Sequence, residues 1–230
     1  MNHPFATLDV PATDLQSART PGQNSRQIAA LMRSGERPSD RDFDRFLPRR
    51  LRAVSCRYWT PLAVVACAAK WFDELGVKTV VDVGSGSGKF CVAGAIMSRC
   101  RFIGVEQRRQ LVAASRVMSE LYGVQDRVTF LHDTFGERAP PQADAYYFFN
   151  PFGENRLASE SCLDRSVELS EERFTRDVWS AKYWLSVARP RTYVVTYNGF
   201  GGRLPRSYAL QGVVRGLPCP LELWRKQARS

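Results

Sequence analysis

The sequence predicts an α/β fold in which helices cover both faces of a mostly parallel sheet. Short runs rich in β-branched and aromatic residues, such as 78–84 and 101–106, alternate with helical patterns of roughly 10 to 17 residues. The first run ends in a glycine-rich loop, which lets a strand turn directly into a helix. A chain of 230 residues with 44% hydrophobic and 24% charged residues fits one globular domain with a full core.

The chain is expected to divide into an arm and one domain. Residues 1–38 mix proline, arginine and small polar residues, and they contain one short helical pattern around Ile28 and Met32. We therefore expect a flexible N-terminal arm over 1–38 and a single domain over 39–230.

The first long helix of the domain is predicted over 60–76. Thr60 is a candidate cap, Pro61 suits the first turn and Gly76 is expected to end the helix. The later elements are predicted in chain order as strand 78–84, helix 88–98, strand 101–106, helix 107–123, strands 126–133 and 143–150, helical pattern 166–188, and strands 191–199 and 217–226. The aromatic residues of the last third are interpreted as core in preference to pocket wall: Trp179, Tyr183, Trp184, Tyr193 and Tyr197.

Composition excludes several classes of protein. No apolar run approaches the ~20 residues of a membrane-spanning helix, and no leader pattern opens the chain, so we expect a cytoplasmic protein. The six cysteines contain no C-x-x-C pair and there are only two histidines, so no metal site is predicted. The cysteines are interpreted as reduced, small buried groups.

The net charge of +10 is concentrated at the two ends of the chain. Residues 1–60 hold ten basic and six acidic side chains, and residues 189–230 hold eight and one. Basic segments of this kind can attract the phosphate backbone of a nucleic acid. The same composition is also expected for a basic surface that is only solvated. Nucleic-acid contact therefore stays open and is not favoured.

The run Val80–Phe90, VVDVGSGSGKF, carries the motif most informative about function. A phosphate-binding P-loop is excluded, because Val83 replaces its first glycine and Phe90 replaces its magnesium-binding hydroxyl. A dinucleotide fingerprint is disfavoured, because Lys89 stands where a small residue is needed. The loop is thus expected to hold a ligand without a pyrophosphate.

Gly84, Gly86 and Gly88 form the pattern G-x-G-x-G, with Asp82 two residues before the first glycine. This segment resembles the first motif of class I S-adenosylmethionine-dependent methyltransferases. The resemblance implies a Rossmann-like sheet with an antiparallel C-terminal strand, and S-adenosyl-L-methionine as cofactor. It also implies that Asp82 serves the cofactor's ammonium group, and that Gly84, Ser85, Gly86 and Gly88 bring the backbone against the ligand.

Two further positions fit the same family. Glu106 ends a strand pattern twenty residues beyond Gly86, a spacing at which a carboxylate accepts hydrogen bonds from both ribose hydroxyls. Asp133 and Thr134 match the position that meets the adenine amine, and an ordinary Asx turn is the alternative interpretation.

Asn150, Pro151 and Phe152 follow the fourth strand pattern and are the candidate catalytic residues. They resemble the (D/N)-P-P-(Y/F) motif of amino methyltransferases with the second proline missing. That resemblance implies that the asparagine accepts hydrogen bonds from the target amine. The shifted aromatic residue puts stacking of an adenine in doubt.

The segment 55–155 also resembles the Dot1p-type, non-SET lysine methyltransferase group and its bacterial relatives. In that group an aromatic loop that contains a threonine, here 58–60 with Thr60, closes over the cofactor. Glu154 is a candidate proton acceptor for a charged amine, with a solvated surface position as the alternative.

The sequence therefore predicts a methyltransferase that moves a methyl group from S-adenosylmethionine to a nitrogen on a protein or small molecule. An RNA or DNA methyltransferase recruited through basic termini and a non-catalytic cofactor-binding protein remain alternatives. The motifs do not identify the acceptor.

Overall fold

The structure is a computed structural model that describes residues 21–228, and its centre is a seven-stranded sheet. The strands are β1 Thr79–Val83, β2 Arg101–Glu106, β3 Val128–His132, β4 Ala145–Phe149, β5 Tyr193–Tyr197, β6 Tyr208–Val214 and β7 Leu221–Lys226. The strand order is β3-β2-β1-β4-β5-β7-β6. β1 to β5 run parallel, whereas β7 is antiparallel to both β5 and β6, which confirms the predicted sheet.

The chain order of the strands reverses at β1, which pairs with β2 on one side and β4 on the other. In open parallel sheets such a reversal opens a crevice at the carboxyl ends of the strands. The glycine loop and the Asn150 segment both leave the sheet at this end. The topology therefore brings together the two motifs that the sequence separates by more than sixty residues.

Strand β6 was not predicted, and its sequence explains why. The strand lies at the sheet edge, carries a register shift between Leu210 and Gly212, and has exposed residues at consecutive positions. The bulge breaks the alternation of apolar and polar residues by which strands are recognised.

Eight α-helices lie within the described residues. They are α1 Pro21–Arg33, α2 Asp40–Asp44, α3 Arg49–Ala53, α4 Ser55–Tyr58, α5 Leu62–Glu74, α6 Lys89–Met97, α7 Arg109–Leu121 and α8 Glu171–Val187. One sheet face packs against α5, α6 and α7, with α1 packed on α6 and α7, and the other face packs against α8. None of the helices within 21–228 combines the length and the apolar run needed to cross a membrane.

Helix α1 is packed onto the domain and was expected to belong to a flexible arm. Ile28, Ala29 and Met32 are buried in the main core, and the helix contacts α6 and α7. The Ser25 hydroxyl donates a hydrogen bond to the Leu121 carbonyl over 2.6 Å. The described part of the chain is therefore packed from residue 21 onward, and residues 1–20 of the expected arm lie outside it.

Other local expectations need correction. Thr60 does not cap α5, because its hydroxyl lies 3.0 Å from the Tyr147 hydroxyl, and Pro61 occupies the cap position. Trp179 and Tyr183 are 66% and 47% exposed on α8, so they are not core. Among the cysteines, all free thiols, Cys91 and Cys100 are buried, whereas Cys56 is exposed and the other three are partly buried.

Candidate active site

A cavity of about 450 Å³ opens at the carboxyl ends of the central strands. Its size lies within the range of small-molecule sites. Most of the predicted site residues line it: Gly84, Gly86, Glu106, Asp133, Thr134, Asn150, Pro151 and Phe152. Asp82, Ser85, Gly88 and Thr60 are buried and are absent from its wall.

The glycine loop owes its shape to backbone conformations that favour glycine. Gly84, Gly86 and Gly88 have φ angles of 71°, 55° and 75°. A Cβ on Gly84 would lie 2.8 Å from the Cβ of Pro151, and one on Gly86 would overlap the Trp59 ring. The glycines thus let the Asn150 segment and the indole of Trp59 approach the loop closely.

Glu106 is the buried carboxylate of the cavity wall. Its Oε2 accepts a hydrogen bond from the Gly86 N–H over 3.0 Å, and its Oε1 accepts one from the Arg108 N–H over 2.7 Å. Burial raises the pKa of Glu106, and these hydrogen bonds oppose the rise. Each oxygen keeps a second lone pair, so the carboxylate can accept two more hydrogen bonds from a diol in the cavity.

Asp82 lies beneath the glycine loop. Its Oδ2 accepts a hydrogen bond from the Cys91 thiol over 3.4 Å, and burial raises its pKa to about 7. Because Asp82 does not line the cavity, it acts on a ligand there through its electric field across the glycine loop. A direct contact with the ammonium group of the cofactor stays a prediction.

Two serine hydroxyls of the glycine loop are buried without a hydrogen-bond partner among the described residues. These are the Oγ atoms of Ser85 and Ser87. The Ser85 hydroxyl faces Gly104 of β2, where an added Cβ would lie 2.6 Å from it, and neither serine lines the cavity. These two hydroxyls therefore give no information about a ligand.

Asp133 and Thr134 lie at the end of β3 and both line the cavity. Asp133 Oδ1 accepts a hydrogen bond from the Thr134 N–H over 2.8 Å, and the Asp133 N–H donates one to the Glu106 carbonyl over 3.1 Å. The Asp133 side chain thus bonds the next residue, not the N–H two residues on that an Asx turn uses, and both residues border the cavity. Their predicted contact with an adenine amine stays a prediction.

Asn150 stands opposite this wall in a left-handed conformation with φ 41°. Its backbone N–H donates to the Gly199 carbonyl over 2.9 Å, which fixes the turn. A Cβ on Gly153 would overlap the Asn150 amide, so glycine there leaves room for that side chain. The amide makes no hydrogen bond with any described residue and is free to meet a ligand.

Arg108 joins the ligand-facing loops, and sequence reasoning missed it. Its guanidinium lies 3.0 Å from Glu154 and 3.1 Å from Asp164, while Leu163 N–H donates to the other Glu154 oxygen over 2.6 Å. Burial lowers the pKa of Arg108, but the facing carboxylates outweigh it and leave that pKa raised. Glu154 is therefore paired, which argues against the proton-acceptor interpretation.

The position of Arg108, two residues after the ribose-binding candidate, was a usable but unspecific signal, because strand-end arginines are common.

No group of three or more metal-ligating side chains occurs in the region from 21 to 228.

Residues 58 and 59 form the roof of the cavity. The Trp59 indole N–H donates to the Leu51 carbonyl over 3.2 Å, and the Tyr58 hydroxyl donates to the Ser161 carbonyl. Tyr197 and Phe149 stack at a tilt, with ring centroids 4.8 Å apart, on the wall near Asn150. The acceptor side of the cavity is thus aromatic.

No protein-family model matches the chain. Over 65 residues the chain is 38% identical to ribosomal protein L11 methyltransferase from Aeromonas hydrophila, a match that covers 27% of this chain and 22% of that relative. The chain therefore aligns with about a fifth of that relative's length.

Several solved structures resemble this fold over most of the chain, and two of them were crystallised with a product of the cofactor. One is an RNA methyltransferase from Salinibacter ruber in complex with S-adenosyl-L-homocysteine, with a TM-score of 0.53, 18% identity, and coverage of 74% of this chain and 95% of that one. The other is an O-methyltransferase from Bacillus cereus in complex with SAH, with a TM-score of 0.56, 10% identity, and coverage of 90% and 100%. The predicted Rossmann-like fold of class I methyltransferases is confirmed.

Proposed function

We propose that this chain is an S-adenosylmethionine-dependent methyltransferase that acts on a nitrogen acceptor held at Asn150. The observation that carries this proposal is the pairing of two features across one cavity. A buried carboxylate, Glu106, borders the glycine loop, and an unbonded asparagine amide stands on the opposite wall.

The residues present fit the cofactor. Glu106 has acceptor capacity for a ribose diol, Asp133 and Thr134 lie at the next strand end, and Asp82 is a buried carboxyl at the loop whose ionised form would favour a cationic ligand. The Salinibacter ruber RNA methyltransferase, whose fold is similar, was crystallised with S-adenosyl-L-homocysteine, which supports a cofactor of this class here. When bound, S-adenosylmethionine supplies a methyl group on a positively charged sulfur.

The role proposed for Asn150 is to orient the acceptor nitrogen. Its amide oxygen can accept a hydrogen bond from an acceptor N–H and so turn the nitrogen lone pair toward the glycine loop, which abuts this segment at Pro151. Such catalysis depends on position and needs no nucleophilic side chain. A carbon acceptor offers no polar hydrogen to this oxygen. A hydroxyl can donate one but is a weak nucleophile until it loses that proton, whereas a neutral amine already carries an available lone pair, so an amine nitrogen suits this site better.

Two substitutions separate binding from turnover. Glu106→Gln removes the charge that favours the diol, so we expect S-adenosylmethionine affinity to fall about tenfold or more. Asn150→Gly removes the amide while glycine accepts the positive φ of this turn, so affinity should stay within about twofold while methyl transfer falls roughly a hundredfold. Calorimetry measures affinity, and transfer of radiolabelled methyl into a cell extract measures turnover.

Glu120→Gln is the matched control, because it makes the same change at an exposed position of α7. Wild-type affinity in Glu106→Gln would contradict the assigned ribose contact. Cofactor binding with no transfer to any fraction of the extract would replace the enzyme proposal with the non-catalytic alternative. Preferential binding of NAD would contradict the proposed cofactor.

The nitrogen acceptor can belong to a protein, a small molecule or a nucleic acid. Fractions of the extract treated with protease or nuclease, or passed through a small-molecule filter, distinguish these classes by which treatment removes the label.

A further inference from the structure

The segment from α2 to α4 presents a surface of exposed arginines. We call it the arginine surface. Within residues 41–57 it comprises Arg41, Arg45, Arg49, Arg50, Arg52 and Arg57, each of them exposed. On the short helix α3 the exposed side chains are those of Arg49, Arg50, Arg52 and Ala53, while Leu51 is buried.

The acidic residues of the same segment do not neutralise these arginines. Asp44 is buried and lies 2.8 Å from Lys89, which balances its charge, and Asp42 is the one exposed carboxylate of 41–57 against six exposed arginines. None of the six arginines forms an ion pair with another residue in the part of the chain that the structure describes. The surface therefore keeps a strong positive potential.

Three of the arginines converge. Arg41, Arg45 and Arg52 line one shallow cavity of about 290 Å³ together with Asp42. The Arg52 guanidinium also donates to the backbone carbonyl of Arg45 over 3.1 Å, which fixes the Arg52 side chain beside this cavity. Like charges held close together repel, and an anion between them would remove that repulsion.

The arginine surface is attached to the cavity roof. Leu51 of α3 accepts the Trp59 indole hydrogen bond, and Trp59 covers Gly86. Arg57 lines the cavity itself, with its guanidinium carbon 5.3 Å from the Tyr58 ring centroid. A partner bound on this surface therefore lies at the mouth of the candidate active site.

A second connection runs through hydrogen bonds. Arg50 donates to Gln110 over 3.3 Å, Gln110 donates to Asp164, and Asp164 pairs with Arg108 in the cavity wall. The arginine surface and the cavity wall are thus parts of one continuous polar network.

We propose that the arginine surface binds the phosphate backbone of single-stranded RNA, and that a base of this RNA carries the acceptor nitrogen into the cavity. This inference rests on the proposed function and names its substrate class. Arginine is suited to the role because its planar donors match phosphate oxygens, and its face stacks on unpaired bases.

The shape of the site favours an unpaired strand. Tyr58, Phe149 and Tyr197 line the acceptor side of the cavity, so an unpaired base that enters it meets aromatic rings on which it can stack. A base inside a duplex must first be unstacked, at a cost of a few kcal/mol, whereas loops of folded RNA already expose unpaired bases. Base amino groups also supply the nitrogen that Asn150 is placed to hold.

The test measures binding of a fluorescent single-stranded RNA of about 20 nucleotides by anisotropy across a salt series. The triple substitution R49Q/R50Q/R52Q should weaken binding about tenfold or more at low salt. It should also flatten the slope of log K against log salt by about 2, because each lost phosphate contact to a single strand contributes about 0.7.

A charge-matched control is available at the other end of the strands, where the parallel strands begin. The substitution R99Q/R101Q/R189Q removes three exposed arginines there and should leave the RNA affinity within about twofold. Equal losses in the two triple variants would show binding that depends on net charge alone, and would overturn the assignment of the surface. Circular dichroism and S-adenosylmethionine affinity verify that both variants fold.

Three other results would also overturn the inference: no RNA binding at roughly 50 mM salt, preference for the same sequence as duplex or as DNA, or label that nuclease does not remove. Failure of the proposed function is distinguishable, because it shows as absent S-adenosylmethionine binding or absent methyl transfer to every fraction. RNA binding without S-adenosylmethionine binding would support the arginine surface as an RNA site and contradict the enzyme proposal. S-adenosylmethionine-dependent label in protein alone would support the enzyme proposal and contradict the RNA inference.

Discussion

Asn150 shows how much of the site is decided by single residues. Asparagine tolerates the left-handed conformation better than most residues, and the hydrogen bond to Gly199 holds it there. Strained conformations of this kind persist where the surrounding structure enforces them, often at functional sites. The same turn aims the side chain into the cavity and lets Pro151 touch Gly84.

Asp82 carries a testable pH dependence. Its pKa is about 7 in the folded protein, against an ordinary value near 4 in the unfolded chain. Between these values the folded state holds a proton that the unfolded state has released. The free energy of unfolding therefore falls as pH rises from about 4 to 7 and is level above that.

Asp82→Asn removes this titration, so we expect the variant to lose less stability than the parent between pH 5 and about 7.5, by on the order of 2–3 kcal/mol. Asparagine keeps an oxygen that can accept the Cys91 hydrogen bond. Urea unfolding of the ligand-free proteins at a series of pH values measures the difference. Parallel pH curves for parent and variant would show that the buried carboxyl does not titrate as assigned.

Among the elements, α1 shows how a weak sequence signal gains its meaning from its partners. Its apolar residues recur at helical spacing, but a helix of 13 residues is only marginally stable by itself. It is held by packing against α6 and α7, with Ala29 fully buried. An isolated pattern cannot reveal that packing.

We expect Met32→Ala to destabilise the protein by about 2–4 kcal/mol, since Met32 is 4% exposed within the main core. Arg33→Ala, at the exposed neighbouring position, is the control and should change stability by less than about 0.5 kcal/mol. Chemical unfolding measures both. A negligible effect of Met32→Ala would mean that α1 is not part of the folded domain.

At the scale of the whole molecule, Lys89 joins the N-terminal helices to the glycine loop. Its ammonium is buried, 2.6 Å from Asp40 and 2.8 Å from Asp44, and Ser55 donates a hydrogen bond to Asp44. The helices that carry the arginine surface and the cavity roof are thereby fixed to the first residue of α6. Lys89 is the residue that replaces the small residue of the dinucleotide motif, and these ion pairs give it a structural role.

Lys89→Met should destabilise the protein by about 3 kcal/mol, because it leaves Asp44 buried without a counter-charge. Adding Asp44→Asn should restore part of that loss, and thermal unfolding of the two variants measures it. S-adenosylmethionine affinity should fall in Lys89→Met as well, since the roof loses its anchor. Additive effects of the two substitutions would contradict a coupled pair.

The sequence by itself determined the fold class, the parallel strands, the glycine loop and the carboxylate at the end of β2. These follow from local rules of periodicity, glycine conformation and spacing, which need no knowledge of distant neighbours. It also marked the Asn150 segment, because proline and asparagine after a strand indicate a sharp turn.

Only the tertiary structure decided what depends on contacts between distant segments. The packing of α1, the bulged strand β6, the burial of Asp82 below the cavity and the bridge from Arg108 to Glu154 all belong to this group. The arginine surface also belongs to this group. The arginines of 41–57 lie beside the cavity only because the Trp59 side chain links α3 to the glycine loop at Gly86. Burial and electrostatic pairing are properties of the assembled chain, and a linear pattern contains neither.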